Sequence, residues 1–334
     1  MSKLQRPKPS IDPTVFIRQK PRDLMKYLLR LSIFLALFVG WPRSVQPQTR
    51  VDRNVVYGMY SGLALLLDVH HPDRPNGYGI VCIAGSGWNA PLGYDAAPLK
   101  EETELNDFAN RLMAAGYTLF FVNHRSSPRF TYPAAVEDLQ RAVRFVRAHA
   151  AIYAIHPDQI GALGASSGGH LASMLGVLDG TGDPESPDPI DRLSSKVQSV
   201  VALYAPFDLK RLTTARGGPA VALFVGVRNL LKDDTPHGTP EYQRYAAASP
   251  LTYVTSDDAP FLLLHGDADQ AVPVEQSQLM ETALKKAGVP VKLDLVAGGG
   301  HDDNFGLSSN DPRLGIYLAK TVRWFDTHLK KDSN

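Results

Sequence analysis

The chain has 334 residues, of which 44% are hydrophobic and 21% are charged, and a formal net charge of +1 at pH 7. This composition supplies a large apolar core and excludes a disordered chain, a collagen-like fibre and a multispan membrane protein, while the single cysteine, Cys82, excludes an internal disulfide and a cysteine-rich zinc module. Residues 1–50 carry a balance of +8, which leaves −7 for the remainder. We therefore expect no nucleic-acid partner, because phosphate binding needs clustered cations.

An uninterrupted apolar run, Leu31–Gly40, follows several basic residues near the N-terminus. This order resembles the charged and apolar regions of a secretory signal peptide. At ~1.5 Å per residue the run covers about half of a ~30 Å hydrocarbon core, so a stable transmembrane helix is the weaker interpretation. We expect residues 1–48 to be a signal peptide or membrane-targeting segment, with Met25 as the natural start, and the protein to be exported to the periplasm or secreted. An uncleaved N-terminal membrane anchor stays the alternative.

Short apolar runs alternate with helical patterns from residue 51 to residue 330. The runs are bounded by turn residues, as is typical of strands buried on both faces: Ile80–Ala84, Thr118–Asn123, Ile160–Leu163, Val200–Tyr204, Phe261–Leu264 and Val291–Val296. Apolar residues recur at helical spacing over 105–112, 136–146 and 318–329. This alternation predicts an α/β domain over residues 51–330, with a mostly parallel central sheet covered by helices on both faces. A loop over 179–193 and a short cap insertion over 209–249 interrupt the pattern.

A Gly-x-Ser-x-Gly motif, Gly164 to Gly168, follows the strand Ile160–Leu163 and precedes a helical run. Between a strand and a helix this motif is typical of a nucleophile elbow, in which a sharp turn lifts the serine hydroxyl clear of the sheet. The flanking glycines leave room for the adjoining strand and helix. Ser166 is therefore the predicted nucleophile, and Ser167 is the alternative, because a relaxed form of the motif also fits Ser167.

A serine hydroxyl needs a base to remove its proton and a carboxylate to orient that base. Asp267 and Asp269 follow the predicted strand Phe261–Leu264, and His301 follows the predicted strand Val291–Val296. The carboxyl ends of parallel strands meet at one edge of the sheet, where ligands bind in such folds. The order serine, aspartate, histidine also matches this class of elbow. The sequence thus predicts a catalytic group of Ser166, His301 and one of the two aspartates.

Four segments carry a resemblance to a known family: GASSGGHLA (164–172), SPLTYV (249–254), HGDADQAVPVEQS (265–277) and GGGHDD (298–303). They resemble the esterase and lipase branch of the α/β-hydrolase superfamily, particularly acetylxylan and feruloyl esterases and hormone-sensitive-lipase-like enzymes. The likeness extends over roughly residues 51–329. It implies that Ser166 is the nucleophile, His301 the base and Asp269, rather than Asp267, the acid.

An acyl-transfer reaction also needs N–H donors for the negative charge that develops on the carbonyl oxygen. One donor is expected to be the backbone N–H of Ser167, directly after the nucleophile. Where the resembled family has His-Gly-Gly-Gly-Trp, this chain has AGSGW over residues 84–88. The resemblance therefore implies backbone donors at Ser86 and Gly87. Ala84, however, cannot make the hydrogen bonds with which the family's histidine braces this loop.

These features predict a serine esterase that cleaves small-molecule or polymer-linked carboxylic esters through an acyl-enzyme, with no cofactor. No metal is expected either, because candidate ligands such as His70, His71 and residues 183–191 lack a ligand spacing. Trp88 is expected either to line the substrate pocket or to pack in the core. Two alternatives stay open. One is a serine peptidase of the prolyl-oligopeptidase type, although such enzymes normally carry an additional propeller domain for which 334 residues leave no room. The other is a non-catalytic binding protein on the same scaffold.

Overall fold

The structure is a computed structural model that describes residues 50–212, 218–227, 231–232 and 235–330. The signal-peptide prediction for residues 1–48 lies outside the described residues. None of the helices in the described ranges is long and apolar enough to cross a membrane.

A central sheet organises the chain and has the strand order β1-β2-β4-β3-β5-β6-β7-β8. Its strands are β1 (Val51–Tyr60), β2 (Leu63–His70), β3 (Gly79–Ile83), β4 (Thr118–Val122), β5 (Ile160–Ala165), β6 (Ser199–Leu203), β7 (Phe261–Gly266) and β8 (Val291–Val296). Strand β2 runs antiparallel to both of its neighbours, and the pairs from β4 through β8 run parallel. The prediction of a mostly parallel sheet is confirmed.

The helices of the described residues are α1 (Asn106–Ala114), α2 (Ala134–Ala148), α3 (Ser167–Val177), α4 (Gly218–Val225), α5 (Pro240–Ala247), α6 (Glu275–Ala287) and α7 (Pro312–Leu329). Of these, α1, α2, α3, α6 and α7 cover the two faces of the sheet. Successive strand residues point to opposite faces. In β3, Val81 and Ile83 therefore join the apolar cluster that includes α2, α3 and α6, whereas Ile80 and Cys82 join the cluster that includes α1 and α7. This burial on both faces explains why the central strands have continuous apolar sequences.

The hairpin formed by β1 and β2 is an element that the sequence patterns did not predict. Strand β1 is irregular, because its pairing register shifts between Asp52 and Val55 and again between Val56 and Gly58. Asn54 also has a φ of +57°. These irregularities break the strict alternation of apolar and polar residues by which a half-buried strand is recognised. The cap insertion over 209–249 contains α4 and α5.

Candidate active site

Ser166 lies in the sharp turn between β5 and α3 and has a φ of +51° and a ψ of −123°. Its N–H donates to the Leu203 carbonyl oxygen at 2.9 Å. The flanking glycines allow a very close approach of backbone segments: a Cβ atom on Gly164 would lie 2.2 Å from the Gly168 carbonyl oxygen, and one on Gly168 would lie 2.1 Å from the Ile83 carbonyl oxygen. A non-glycine residue at either position would therefore force the strand and the helix apart.

Ser166, His301 and Asp269 form one chain of hydrogen bonds. The Ser166 Oγ atom lies 2.8 Å from His301 Nε2, and His301 Nδ1 lies 2.7 Å from Asp269 Oδ2. Because a carboxylate only accepts, Nδ1 carries the proton and Nε2 is the acceptor for the serine hydroxyl. The structure thus brings together three side chains from loops that follow β5, β7 and β8. Asp267 is exposed and instead accepts from the Gly298 N–H at 2.7 Å.

The carboxylate of Asp269 is held in a fixed orientation. Its Oδ1 atom accepts from the backbone N–H groups of Ala271 and Val272, each at 2.8 Å, so Oδ2 is the oxygen that faces His301. Burial by itself raises the pKa of Asp269, but hydrogen bonds from His265, His301 and the Val272 N–H outweigh burial and hold this pKa well below its usual range. Asp269 is therefore ionised at neutral pH and able to stabilise a protonated imidazole.

His265 supports the Asp269 loop, a role that the sequence patterns did not reveal. It is fully buried, with Nε2 2.9 Å from the Val272 carbonyl oxygen and 3.4 Å from Asp269 Oδ2. Because Nε2 donates to that carbonyl, Nδ1 accepts from the Ser277 hydroxyl at 2.7 Å. The only sequence signal was its position, directly ahead of the two aspartates at the end of a strand.

The loop of residues 84–88, which we term the oxyanion loop, departs from the expected arrangement at Ser86. The resemblance implies that the Ser86 N–H donates to the developing oxyanion; in this structure that N–H donates instead to the Ser167 Oγ atom at 2.9 Å. The reason is the hydroxyl of Ser167, which reaches across to the loop. Ser167 begins α3, where the backbone N–H has no acceptor within the helix. The Gly87 N–H has no hydrogen-bond acceptor among the residues that the structure describes.

Trp88 packs in the core, the second of the two positions that the sequence left open for it, rather than at a surface where it would line a substrate pocket. It is only 3% exposed, and its ring stacks on that of Phe224 in α4, with centroids 4.7 Å apart. Its indole Nε1 donates to His170 Nδ1 at 3.1 Å, and His170 Nε2 in turn donates to the Ala248 carbonyl oxygen at 2.7 Å. Burial lowers the pKa of His170 to about 4, which keeps this ring neutral near neutral pH.

Glu104 and Tyr204 also adjoin the site, and neither was predicted as a site residue. The Glu104 carboxylate accepts from the Gly85 N–H at 2.5 Å and from the Tyr204 hydroxyl at 2.9 Å. The rings of Tyr204 and His301 are 4.9 Å apart in an edge-on arrangement. Burial raises the pKa of Glu104, and the two hydrogen bonds partly oppose this rise. In the sequence, Glu104 stands within KEETE and looks like one of several solvated charges.

The arrangement suits nucleophilic catalysis, since a serine hydroxyl, an imidazole and an ionised carboxylate are in contact in the required order. The described residues include no cluster of three or more His, Cys, Asp or Glu side chains that is placed to hold a metal ion.

Comparison with known proteins yields matches over most of the described chain. Residues 67–284 match the family model described as BD-FAE. The chain is similar to the probable carboxylic ester hydrolase LipM of Mycobacterium tuberculosis, with 31% identity over 231 residues, 68% of this chain and 50% of that protein. Overall, the chain spans about half the length of the curated relatives it matches.

Two solved structures share both the fold and part of the sequence. One is a truncated form of a carbohydrate esterase from gut microbiota, with a TM-score of 0.69 and 26% identity over 86% of this chain and 99% of that chain. The other is an acetyl ester-xyloside bifunctional hydrolase from Caldicellulosiruptor lactoaceticus, with a TM-score of 0.65 and 26% identity over 85% of this chain and 98% of that chain.

Proposed function

This chain belongs to the BD-FAE family of α/β-hydrolases, and from that premise we propose that it hydrolyses carboxylic esters through an acyl-enzyme formed on Ser166. The observation that carries the proposal is the chain of hydrogen bonds from Ser166 Oγ through the His301 ring to Asp269, with contacts of 2.8 Å and 2.7 Å. The relatives named as esterases support the same reaction class.

In the proposed reaction, the Ser166 oxygen attacks the ester carbonyl carbon while His301 Nε2 takes the hydroxyl proton. Asp269 keeps the Nδ1 proton in place and stabilises the imidazolium that forms. The tetrahedral intermediate collapses when His301 returns the proton to the leaving alcohol, which leaves the acyl group on Ser166. Water then attacks the acyl-enzyme by the same proton route, and the carboxylic acid departs.

The negative charge on the tetrahedral intermediate requires N–H donors near the Ser166 hydroxyl. We assign this role to the backbone N–H groups of Ser167 and Gly87. The Ser86 N–H already donates to the Ser167 hydroxyl at 2.9 Å, so it contributes only if that side chain rotates away.

We propose acetyl and other short acyl esters carried by carbohydrates as the substrate class. One of the solved structures described above is a carbohydrate esterase and the other is an acetyl ester-xyloside bifunctional hydrolase, and each aligns with this chain over almost its whole length. A series of nitrophenyl esters of increasing acyl length, together with acetylated xylan and methyl ferulate, tests this proposal. We expect the highest kcat/KM at acetyl and release of acetate from xylan. A preference for acyl chains of eight or more carbons, with no acetate release, would contradict it.

The reaction class is tested by comparing nitrophenyl acetate with a peptide nitroanilide as substrates of the full chain. We expect ester cleavage that is lost in Ser166→Ala and that persists in Ser167→Ala, a variant that removes the alternative nucleophile and keeps the backbone N–H of residue 167. Faster cleavage of the anilide would favour the peptidase alternative. Ester cleavage that persists in Ser166→Ala, or its absence from the unmodified protein, would contradict the proposal.

We further propose that the protein is exported and that the apolar run Leu31–Gly40 directs this export; the sequence pattern is its support. Fractionation of the native host followed by N-terminal sequencing tests this. A mature N-terminus between residues 41 and 50, in a periplasmic or extracellular fraction, is expected. A cytoplasmic protein with the segment intact would contradict it.

A further inference from the structure

The carboxylate of Glu104 contacts the oxyanion loop directly beside the nucleophile. Its Oε2 atom accepts from the Gly85 N–H at 2.5 Å. A Cβ atom on Gly85 would lie 2.5 Å from the same oxygen and 2.9 Å from the Ser166 Cβ atom. The loop backbone is therefore packed between this carboxylate and Ser166. If the carboxylate moved, the position of the loop relative to the Ser166 hydroxyl would change.

The other oxygen of Glu104 reaches toward the histidine side of the site. Oε1 accepts from the Tyr204 hydroxyl at 2.9 Å. Tyr204 is only 1% exposed, and its ring meets the His301 ring edge-on at 4.9 Å. Its backbone is also fixed, because its N–H donates to the Leu264 carbonyl oxygen at 2.7 Å. A single carboxylate thus connects the oxyanion loop with the residue that packs on the imidazole.

We propose that Glu104 is a positioning residue for the ester hydrolysis proposed above: its two hydrogen bonds set the oxyanion loop through Gly85 and the imidazole through Tyr204. This inference rests on the proposed function. It also explains how the loop is braced although residue 84 is alanine and has no side chain that can form hydrogen bonds.

A gain in folding stability does not explain why a carboxylate lies at this position. Glu104 has no Lys or Arg partner among the described residues. The titratable side chains near it are those of His301 and Asp303, and Asp303 is a group of like charge. Burial of a carboxylate that has only neutral donors costs free energy, and such groups cluster at functional sites.

Four variants of the full chain test the inference, with kcat and KM measured separately on nitrophenyl acetate. We expect Glu104→Ala to lower kcat by about 10- to 100-fold with KM changed by less than about threefold, because misplaced donors weaken transition-state binding more than substrate binding. Glu104→Gln should keep kcat within about fivefold, because the amide oxygen accepts from Gly85 N–H and the amide NH₂ donates to the Tyr204 oxygen. Tyr204→Phe should lower kcat by about three- to tenfold, since one hydrogen bond is lost.

Asp258→Ala is the matched control. Like Glu104, Asp258 is a carboxyl group whose pKa is raised by burial, and it accepts a hydrogen bond from the Thr255 N–H at 2.9 Å. It precedes the amino end of β7, away from Ser166, so its loss should lower the Tm and leave kcat within about twofold.

The inference is overturned if Glu104→Ala keeps the kcat of the unmodified protein. It is also overturned if Glu104→Gln loses as much kcat as Glu104→Ala, since the glutamine amide can still form one hydrogen bond to each of the two neighbours. If Glu104→Ala does not fold, an unchanged kcat in Tyr204→Phe overturns it instead. An unmodified protein without esterase activity would contradict the proposed function, whereas an active protein that is indifferent to Glu104 would contradict only this inference.

Discussion

Replacement of Asp269 by asparagine should disable the proposed proton transfer although the shape of the side chain is kept. Two backbone N–H groups, of Ala271 and Val272, donate to Oδ1 at 2.8 Å each, so the amide oxygen of asparagine must occupy that position. The NH₂ group then takes the place of Oδ2 and faces His301 Nδ1, which lies 2.7 Å away. An NH₂ group donates, so Nδ1 must become the acceptor and the imidazole proton moves to Nε2. In that tautomer His301 cannot accept the proton of Ser166.

The size of the effect follows from the loss of both the correct tautomer and the charge that stabilises the imidazolium. Wrong-tautomer variants of serine hydrolase triads lose about 10⁴-fold in kcat. We expect Asp269→Asn to lose about 10³- to 10⁴-fold, which corresponds to about 4 to 5 kcal/mol in the activation free energy. KM should change little, because the Asp269 side chain is fully buried behind His301.

The assay is kcat on nitrophenyl acetate at pH 7.5 (roughly one unit above the ordinary pKa of histidine), with thermal unfolding measured on the same samples. Asp267→Asn is the matched control, since Asp267 lies two residues away and is exposed. It should keep kcat within about threefold, as expected of a surface substitution. The reasoning is refuted if Asp269→Asn retains more than about a tenth of the activity, or if Asp267→Asn falls as far.

Two further predictions concern stability. Burial lowers the pKa of His170 to about 4 in the folded protein, whereas its pKa in the unfolded chain is about 6.5. The contribution of the neutral ring to stability is therefore complete above about pH 6.5 and is lost as the pH falls from there toward about pH 4. Between pH 7 and pH 5, urea unfolding should show that the free energy of unfolding falls less in His170→Gln than in the unmodified protein, by about 2 kcal/mol. Equal pH dependence in the two proteins would contradict the neutral, buried state of this ring. Gly168→Ala should destabilise the fold by about 3 kcal/mol or more, because its Cβ would lie 2.1 Å from the Ile83 carbonyl oxygen, whereas Gly315→Ala, on α7 with no atom within 4 Å, should stabilise it by up to about 1 kcal/mol. Denaturant titration of both variants checks the opposite signs, and equal effects would count against the elbow geometry.

The parts of the fold that the sequence predicts are those where one physical cause dominates. Strands β3 to β7 are buried on both faces, so their continuous apolar runs stand out and their ends fall within a few residues of the predicted ones. Strand β1 was not recognised because it is an edge strand with register shifts, and its exposed residues follow no simple period. The hairpin of β1 and β2 therefore has no clear periodic signal.

In the site, the positions of residues at strand ends are enough to bring together Ser166, His301 and one of Asp267 and Asp269, because the carboxyl ends of parallel strands meet at one edge. The choice of Asp269 over Asp267 came from the family resemblance. Contacts between side chains from distant loops could not be predicted from the sequence. The hydrogen bond between Ser86 and Ser167 depends on one rotamer, and the contact between Glu104 and Tyr204 joins residues 100 positions apart. Neither contact has a local sequence pattern. Because of both, the surroundings of the oxyanion loop differ from those that the sequence led us to expect.

Covalent labelling with a fluorophosphonate probe, followed by mass spectrometry of the modified peptide, tests the central claim most directly. The probe reacts with an activated serine whatever ester the enzyme prefers, so the result does not depend on the substrate class. We predict one modification, on Ser166, in the unmodified protein and in Ser167→Ala, and none in Ser166→Ala or His301→Ala. Labelling of Ser167, or labelling that persists without Ser166, would contradict the claim that Ser166 is the nucleophile.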